Sequence, residues 1–419
     1  MDGFFSRSLV PPAPHPGPVS RDLALEGMRG LCALLVMYGH AFAPIPVLDR
    51  VYSPPDPFSW LEMARIAVLF FFVLSGYVIG LTVRTEFTAP AARGYLGRRL
   101  LRLVPVNTAA VLIAWALAPR TGLGTVLGNL GFLQNYNPYF FGWRVPIMAN
   151  DASLWTLNFE LFYYLLFLAV WRYAPRAGLL IILLAAGSVG AAVCAGFPQF
   201  LSCYAIGALY WFAGLAVAWL GSRGSGHGNW PSALLVAAVM WPLDPLGKLF
   251  AARNLTDYGI PSVSLQRLDL LPVCLWLLLA ISGRAPRWHR PLTVACLLWA
   301  SLAWVLRYAT RDFGDKSQGA YYAYFAAIFL AWMWSKWKPE PVLLAKLAPV
   351  GLVSFGLYAV SLALQFGILT WPSLPMGSAW TYALRLAILV GLSFAIAWLL
   401  ERRLQPALRR RLRPARRAA

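Results

Sequence analysis

Charged side chains are scarce in this sequence, and acidic ones are the scarcest. Of 419 residues only 12% are charged, and only 16 are Asp or Glu, whereas soluble domains are about a quarter charged. Hydrophobic residues make up 59% of the chain, and the mean hydropathy is +0.61. This composition excludes an ordinary soluble protein. We predict an all-α fold, a polytopic bundle of transmembrane helices.

Apolar windows of about 17 to 25 residues, the length that a bilayer requires, recur along the chain. They fall at residues 27–47, 60–84, 103–119, 152–173, 178–196, 199–220, 230–246, 263–283, 291–308, 320–336, 347–370 and 378–400. Several are short or broken by proline, so we predict about ten to twelve spans. They form one membrane domain over residues 26–400, between a Pro-rich disordered segment (1–25) and a basic tail (401–419).

Cysteine and histidine are also scarce. The five cysteines lie in apolar segments, which favours packing over disulfides or metal ligation; they are Cys32, Cys194, Cys203, Cys274 and Cys296. Three histidines, His15, His227 and His289, fall in loops, and only His40 lies in a predicted span. We therefore expect neither a metal nor a bound cofactor. The N-terminus lacks the order of a signal peptide, so we expect the first span to remain uncleaved.

The net charge of +20 comes from basic residues in short loops and in the tail. Without a soluble domain to hold a duplex, this pattern argues against nucleic-acid binding and fits the positive-inside bias of membrane proteins. We expect both termini on the cytoplasmic side of the inner (plasma) membrane. The tail either lies on anionic headgroups or only fixes the topology.

The first span, "EGMRGLCALLVMYGH", carries ionisable groups that a bilayer disfavours. Eleven residues separate Arg29 from His40, about three helical turns and roughly 16 Å, so both project from one face. Glu26 lies three residues before Arg29 and can pair with it. Ionisable groups in spans indicate function by default. The alternatives are a snorkelling arginine and a histidine that bonds a neighbouring helix.

A second ionisable group lies in the fourth span, "SLWTLNFELFYYLLF". If this span enters from the outside near residue 152, Glu160 lies roughly 12 Å deep, a depth similar to that of His40. A carboxylate next to an imidazole suits general base catalysis, because the acid orients and stabilises the base. The alternative is a structural Glu–Arg pair.

The second and third spans each contribute one further motif. In "LFFFVLSGYVIG", Ser75 and Gly76 are small residues that favour close helix packing over a nucleophilic role for the serine. In "YLGRRLLRLVPV", Arg98, Arg99 and Arg102 precede the third span, and Arg98 and Arg102 share a face if the stretch is helical. Clustered guanidinium groups suit phosphate, although the positive-inside bias explains them equally well.

Taken together, these motifs resemble the integral-membrane acyltransferase 3 family. The resemblance lies in "EGMRGLCALLVMYGH", "FFVLSGY", "RRLLRLVP" and "LWTLNFELFYY", which occur in the family's order within residues 26–164. Two positions depart from the family pattern. Glu26 stands where the family more often has Asp, and Ser361 in "SFGLYAVS" replaces a late histidine.

This resemblance implies an acyl-CoA-dependent O-acyltransferase, most often an O-acetyltransferase. Its substrates would be acyl-CoA and a hydroxyl of a carbohydrate, exopolysaccharide, lipopolysaccharide or glycolipid, with polysaccharide-assembly proteins as possible partners. It implies that His40 and Glu160 are catalytic and that Arg29, Arg98, Arg99 and Arg102 bind acyl-CoA. Two alternatives remain: a lipid or polysaccharide exporter with a His40–Glu160 proton relay, and a glycosyltransferase, for which loop acids are sparse.

Overall fold

The computed structural model describes residues 22–42, 48–52, 54, 63–134, 145–173, 179, 182–187, 199–222, 227–245, 268–311 and 317–411, with no side-chain description for 199–203. The described residues form helices and contain no β-strand. The helices of the first half are α1 (Leu23–Phe42), α2 (Met63–Thr82), α3 (Ala89–Leu117), α4 (Leu123–Leu130), α5 (Trp155–Tyr173) and α6 (Gln199–Leu220). Those of the second half are α7 (Trp230–Leu243), α8 (Leu270–Ser282), α9 (Pro286–Ala309), α10 (Gln318–Met333), α11 (Val342–Lys346), α12 (Ala348–Gly351), α13 (Ser354–Thr370), α14 (Ala379–Trp398) and α15 (Gln405–Arg411).

These helices confirm the predicted all-α membrane fold. Five of them are long and apolar enough to cross a membrane, and four shorter ones are also apolar. The predicted total of ten to twelve spans stays a prediction. Most of the predicted span 178–196, most of the N-terminal segment and the end of the tail lie outside the described residues.

The chain divides into two compact units. Unit 1 comprises Met1–Met28, Pro57–Glu86 and Val170–Ala348, and unit 2 comprises Arg29–Asp56, Phe87–Ala169 and Pro349–Ala419. Of the cysteines, Cys32, Cys274 and Cys296 are reduced and buried, as their apolar surroundings predict. Cys194 and the side chain of Cys203 lie outside the described part.

Unit 1 is built around close backbone contact between α2 and α6. A methyl group at Gly76 would overlap the carbonyl of Trp211, and one at Gly214 would overlap the carbonyl of Val73. The indole Nε1 of Trp211 donates to Ser75 Oγ across the same contact, at 3.2 Å. Ser75 and Gly76 therefore serve the close packing predicted from their size.

In unit 2, helix α13 packs against both α3 and α14. The side chain of Thr88 caps α3 by accepting from the Ala91 N–H, and a proline follows in the first turn. Helix α14 begins with a capping box between Ser378 and Thr381. Gly377, just before it, has φ +98, in the left-handed region that favours glycine.

Candidate active site

Helix α1 is continuous from Leu23 to Phe42, so it holds Arg29 and His40 on one face as their spacing predicts. Asp22 accepts the N–H groups of Ala24 and Leu25 at 3.1 and 3.2 Å and so caps the first turn. His40 lies in the last turn of the helix. The predicted span reached residue 47, and its last five residues lie outside the described part of the chain.

Two side chains from other helices hold the last turn of α1. Gln365 Nε2 donates to the carbonyl of His40 at 2.8 Å. The Tyr382 hydroxyl donates to the carbonyl of Ala41, also at 2.8 Å. The last carbonyls of a helix have no partner within it, so these bonds satisfy groups that burial would otherwise leave unpaired. They also fix the backbone from which the His40 imidazole projects.

One ring nitrogen of the imidazole makes no hydrogen bond within the described part of the chain. His40 Nδ1 is buried and has no hydrogen-bond partner among the described residues. A buried ring nitrogen without a partner is costly, and such groups in native proteins call for an explanation. An imidazole with a fixed backbone and an open nitrogen can accept a proton or an acyl group.

Residues 48–52, which follow α1 in the described part of the chain, are held in place by Arg385 and Asp49. The fully buried Arg385 donates to the carbonyls of Leu48, Ile368, Leu374 and Pro375, at 2.7 to 3.2 Å. Burial acts to raise the pKa of Asp49, but the N–H groups of Val51, Gly377 and Tyr52 and the nearby Arg385 outweigh it, so the pKa lies below its usual range. This ionised carboxylate joins residues 48–52 to the N-terminus of α14.

The three arginines of the basic motif lie within α3, which begins at Ala89 rather than near residue 103. Arg98 is exposed. The guanidinium carbon of Arg99 lies 5.6 Å from the ring centroids of both Tyr95 and Tyr164. That of Arg102 lies 5.7 Å from the ring of Phe355. Aromatic faces thus hold two of the guanidinium groups in place.

Glu160 belongs to this basic cluster. Its carboxylate accepts a hydrogen bond from the hydroxyl of Tyr164 at 2.5 Å, and Tyr164 also lies within electrostatic range of Arg99 and Arg102. The carboxylate therefore balances positive charge next to the rings that surround Arg99.

The expected pairing of Glu160 with His40 does not form, because the two groups lie at different levels of unit 2. Helix α13 runs alongside α3, with Phe355 near Arg102 and Gly367 near Leu117. His40 is joined to Gln365, near the far end of α13. At about 1.5 Å per residue, Glu160 and His40 are roughly 15 to 20 Å apart along the helix axes. The roles of Glu160 and His40 in catalysis remain predictions.

Sequence reasoning missed the residues that hold His40. Gln365, Tyr382 and Arg385 are polar groups within or at the ends of apolar helices, and such residues are a signal of function or of specific packing in a membrane. That signal was available in the sequence. The identity of their partners was not, because Gln365 and His40 are 325 residues apart.

The comparisons with known proteins gave one match. No curated protein and no solved structure matches the chain. The model of the acyltransferase 3 family, described as an acyltransferase domain, matches residues 22–402, which is nearly the whole chain. The match includes α1 with Arg29 and His40, the basic cluster on α3, and the helices that hold His40. With its membrane-length helices, the chain therefore belongs to the acyltransferase 3 family of membrane acyltransferases.

Proposed function

We propose that this acyltransferase is an O-acyltransferase, in the simplest case an O-acetyltransferase. It moves the acyl group of acyl-CoA to a hydroxyl of a carbohydrate in an exopolysaccharide, lipopolysaccharide or glycolipid. The observation that carries the proposal is the state of His40. Its backbone is fixed by Gln365 and Tyr382, while Nδ1 is buried with no partner among the described residues.

The donor site is the basic cluster of α3. The guanidinium groups of Arg98, Arg99 and Arg102 bind phosphate through two parallel N–H groups. The exposed Arg98 meets the phosphates first, whereas Arg99 is positioned by the rings of Tyr95 and Tyr164. Arg29, on the same helix as His40, adds a fourth cation. Positive charge in loops favours placing this end of the bundle at the cytoplasm of the inner membrane, where acyl-CoA is found.

The arginines that bind the phosphates and the imidazole that reacts lie at separate places, and this arrangement fits the two distant ends of acyl-CoA. The phosphates of CoA are joined to its sulfur by a long flexible arm. With its phosphates on α3, that arm extends along the bundle and brings the thioester to His40. The substrate therefore requires the axial offset of roughly 15 to 20 Å between the phosphate site on α3 and the imidazole of His40.

His40 acts as the general base. Its open nitrogen takes the proton of the carbohydrate hydroxyl as that oxygen attacks the thioester carbonyl. The C–S bond then breaks, and the departing CoA thiolate takes the proton from the imidazolium, leaving the ester and free CoA. In the other possible order, the His40 nitrogen first attacks the thioester and carries the acyl group. That order predicts one equivalent of CoA released before carbohydrate is added.

Glu160 acts at the donor end. Because it bonds Tyr164 and not His40, we assign it to positioning the rings around Arg99 and to balancing the charge of the arginines. Its replacement should weaken binding of acyl-CoA rather than remove the base.

The test compares surface glycans of a deletion strain with those of strains that express the wild type, His40→Ala or His227→Ala. Mass spectrometry should show an acyl mass that is lost on deletion, restored by the wild type and by the His227 control, and not restored by His40→Ala. His227 is a matched control because its ring binds the Ile281 carbonyl in unit 1. Membranes should also consume labelled acetyl-CoA only with wild-type or control protein. An exporter would instead show proton-coupled flux without CoA, and transfer by expressed His40→Ala would overturn the assignment.

A further inference from the structure

One face of α13 connects the turn of His40 with the segment that precedes α5. Tyr358, Ser361 and Gln365 lie at positions i, i+3 and i+7, which share a helical face. Gln365 holds the His40 carbonyl, and the Tyr358 hydroxyl donates to the carbonyl of Ser153 at 3.0 Å. Ser361 lies between them, 1% exposed, and its hydroxyl has no hydrogen-bond partner among the described residues.

The segment at the other end of this face, together with Gln134 that bonds to it, carries buried oxygens in the same state. Gln134 donates its amide N–H to the carbonyl of Leu154 at 2.9 Å, and Asn150 donates to the carbonyl of Ala114 at 2.8 Å. Because a carbonyl can only accept, these bonds fix which end of each amide is nitrogen. The amide oxygens, Oε1 of Gln134 and Oδ1 of Asn150, are buried and meet no donor in the described part of the chain.

Asp151 adds a carboxyl oxygen to this set. Its Oδ1 accepts from the hydroxyl of Ser153 at 2.5 Å, while Oδ2 is buried without a hydrogen-bond partner among the described residues. Burial raises the pKa of Asp151 to about 8, although the hydrogen bonds from Ser153 act in the opposite direction. A neutral carboxyl at this position can both accept and donate.

Gln134, Asn150, Asp151 and Ser361 are called here the oxygen cluster. Each member is at most 2% exposed. An acceptor buried without a donor is costly, and native proteins tolerate few of them. An excess of acceptors without donors is relieved by a molecule that is rich in donors. Hydroxyl groups meet this requirement, since each supplies one O–H and also accepts from Ser361 or Asp151.

We propose that the oxygen cluster is the subsite that binds the hydroxyls of the carbohydrate and presents one of them to His40. This inference rests on the proposed function, and it identifies the residues that select a polyhydroxylated acyl acceptor. Because every member of the cluster is buried, the carbohydrate reaches it only through a change in the structure. The backbone contacts of Tyr358 and Gln365 keep α13 in register between the cluster and His40.

The test measures steady-state kinetics of purified protein in detergent, with labelled acetyl-CoA and the unacylated surface-glycan fraction of the deletion strain. Ser361→Ala removes one oxygen that makes no hydrogen bond with the described residues. Asp151→Asn keeps an acceptor for Ser153 and places an N–H₂ donor where Oδ2 was. Ser393→Ala is the matched control, because its hydroxyl on α14 is also buried without a partner among the described residues and lies outside the cluster.

We expect the KM for glycan to rise roughly tenfold in Ser361→Ala, since one hydrogen bond is lost, and to change less in Asp151→Asn, which keeps a donor at the position of Oδ2. The KM for acetyl-CoA and the slow hydrolysis of acetyl-CoA without glycan should not change, and Ser393→Ala should match the wild type.

An unchanged KM for glycan in folded Ser361→Ala would overturn the proposal and mean that the cluster holds only water. If Asp151→Asn does not fold, Ser361→Ala decides alone. A wild-type protein that transfers nothing to the glycan overturns the proposed function and this inference together, whereas transfer with unaltered variant kinetics overturns the cluster alone.

Discussion

Buried polar side chains are hydrogen-bonded more completely in unit 1 than in unit 2. In unit 1, the hydroxyl of Ser232 donates to the carbonyl of Ala331, and Arg284 donates to the carbonyls of Ala218 and Gly221. In unit 2, several amide and hydroxyl oxygens are buried with no donor among the described residues. Among the described residues, every buried side-chain nitrogen or oxygen atom that lacks a hydrogen bond belongs to unit 2. Unit 1 thus follows the packing rules of a stable interior, and unit 2 departs from them, as expected of a binding site.

The largest effect should come from disturbing the tight packing of unit 1. In Gly76→Val the new side chain would overlap the Trp211 carbonyl, and a backbone carbonyl between two packed helices cannot move aside. We expect a loss of more than about 3 kcal/mol, seen as loss of the monodisperse peak in size-exclusion chromatography. Gly97→Val is the control, since no atom lies within 4 Å of a methyl group there. A Gly76→Val protein with wild-type melting would contradict the close contact of α2 and α6.

In unit 2, the next largest effect concerns Arg99, a basic group held by aromatic rings. Arg99→Ala should raise the KM for acyl-CoA about 10- to 100-fold, with little change in kcat. This is the range expected for the loss of one charge-assisted hydrogen bond. Arg93→Ala is the matched control, because it removes an exposed arginine from the same helix. Equal effects of the two substitutions would mean that α3 attracts CoA only through its net charge.

Hydropathy predicted most of this fold because long apolar stretches leave few alternatives to a membrane helix. The predicted limits 152–173 and 199–220 agree with the structure. The predicted span began 14 residues after the start of α3, since four arginines lower the hydropathy of this first part of the helix. The correct start was signalled by Thr88 followed by Pro90, the usual cap and first-turn residues.

The interior of the candidate site was less predictable than the helices. The prediction paired His40 with Glu160 by counting their depth from the outer end of each span, and such a count carries no information on which side chains meet. The contacts that hold His40 come from α13 and α14, at sequence separations above 300 residues. Periodicity reports which face of a helix is apolar and carries no information on which distant helix meets it.

A smaller effect concerns pH and the oxygen cluster. The raised pKa of Asp151, about 8 against an ordinary 3.8, means that the folded protein keeps a proton that the unfolded chain loses in this range. This contribution to stability is complete below pH 3.8 and is lost as the pH rises to about 8. The melting temperature of the wild type should therefore fall more between pH 5 and pH 8 than that of Asp151→Asn, which cannot ionise. Parallel melting profiles would show that Asp151 is ionised in the folded protein.

The smallest effect tests whether every unpaired oxygen of unit 2 serves binding. Ser393→Ala removes a fully buried hydroxyl without a partner among the described residues, and alanine favours the helix slightly more than serine. We expect a gain of about 1 kcal/mol in the free energy of unfolding, measured as a higher melting temperature, with unchanged transfer. Ser361→Ala makes the same chemical change on α13 and should gain similar stability, but it should lose affinity for the carbohydrate. If both variants lost affinity, the unpaired oxygens would act through the packing of α13 and α14 as a whole. If neither did, the open nitrogen of His40 would be the only group in unit 2 whose missing partner is a substrate.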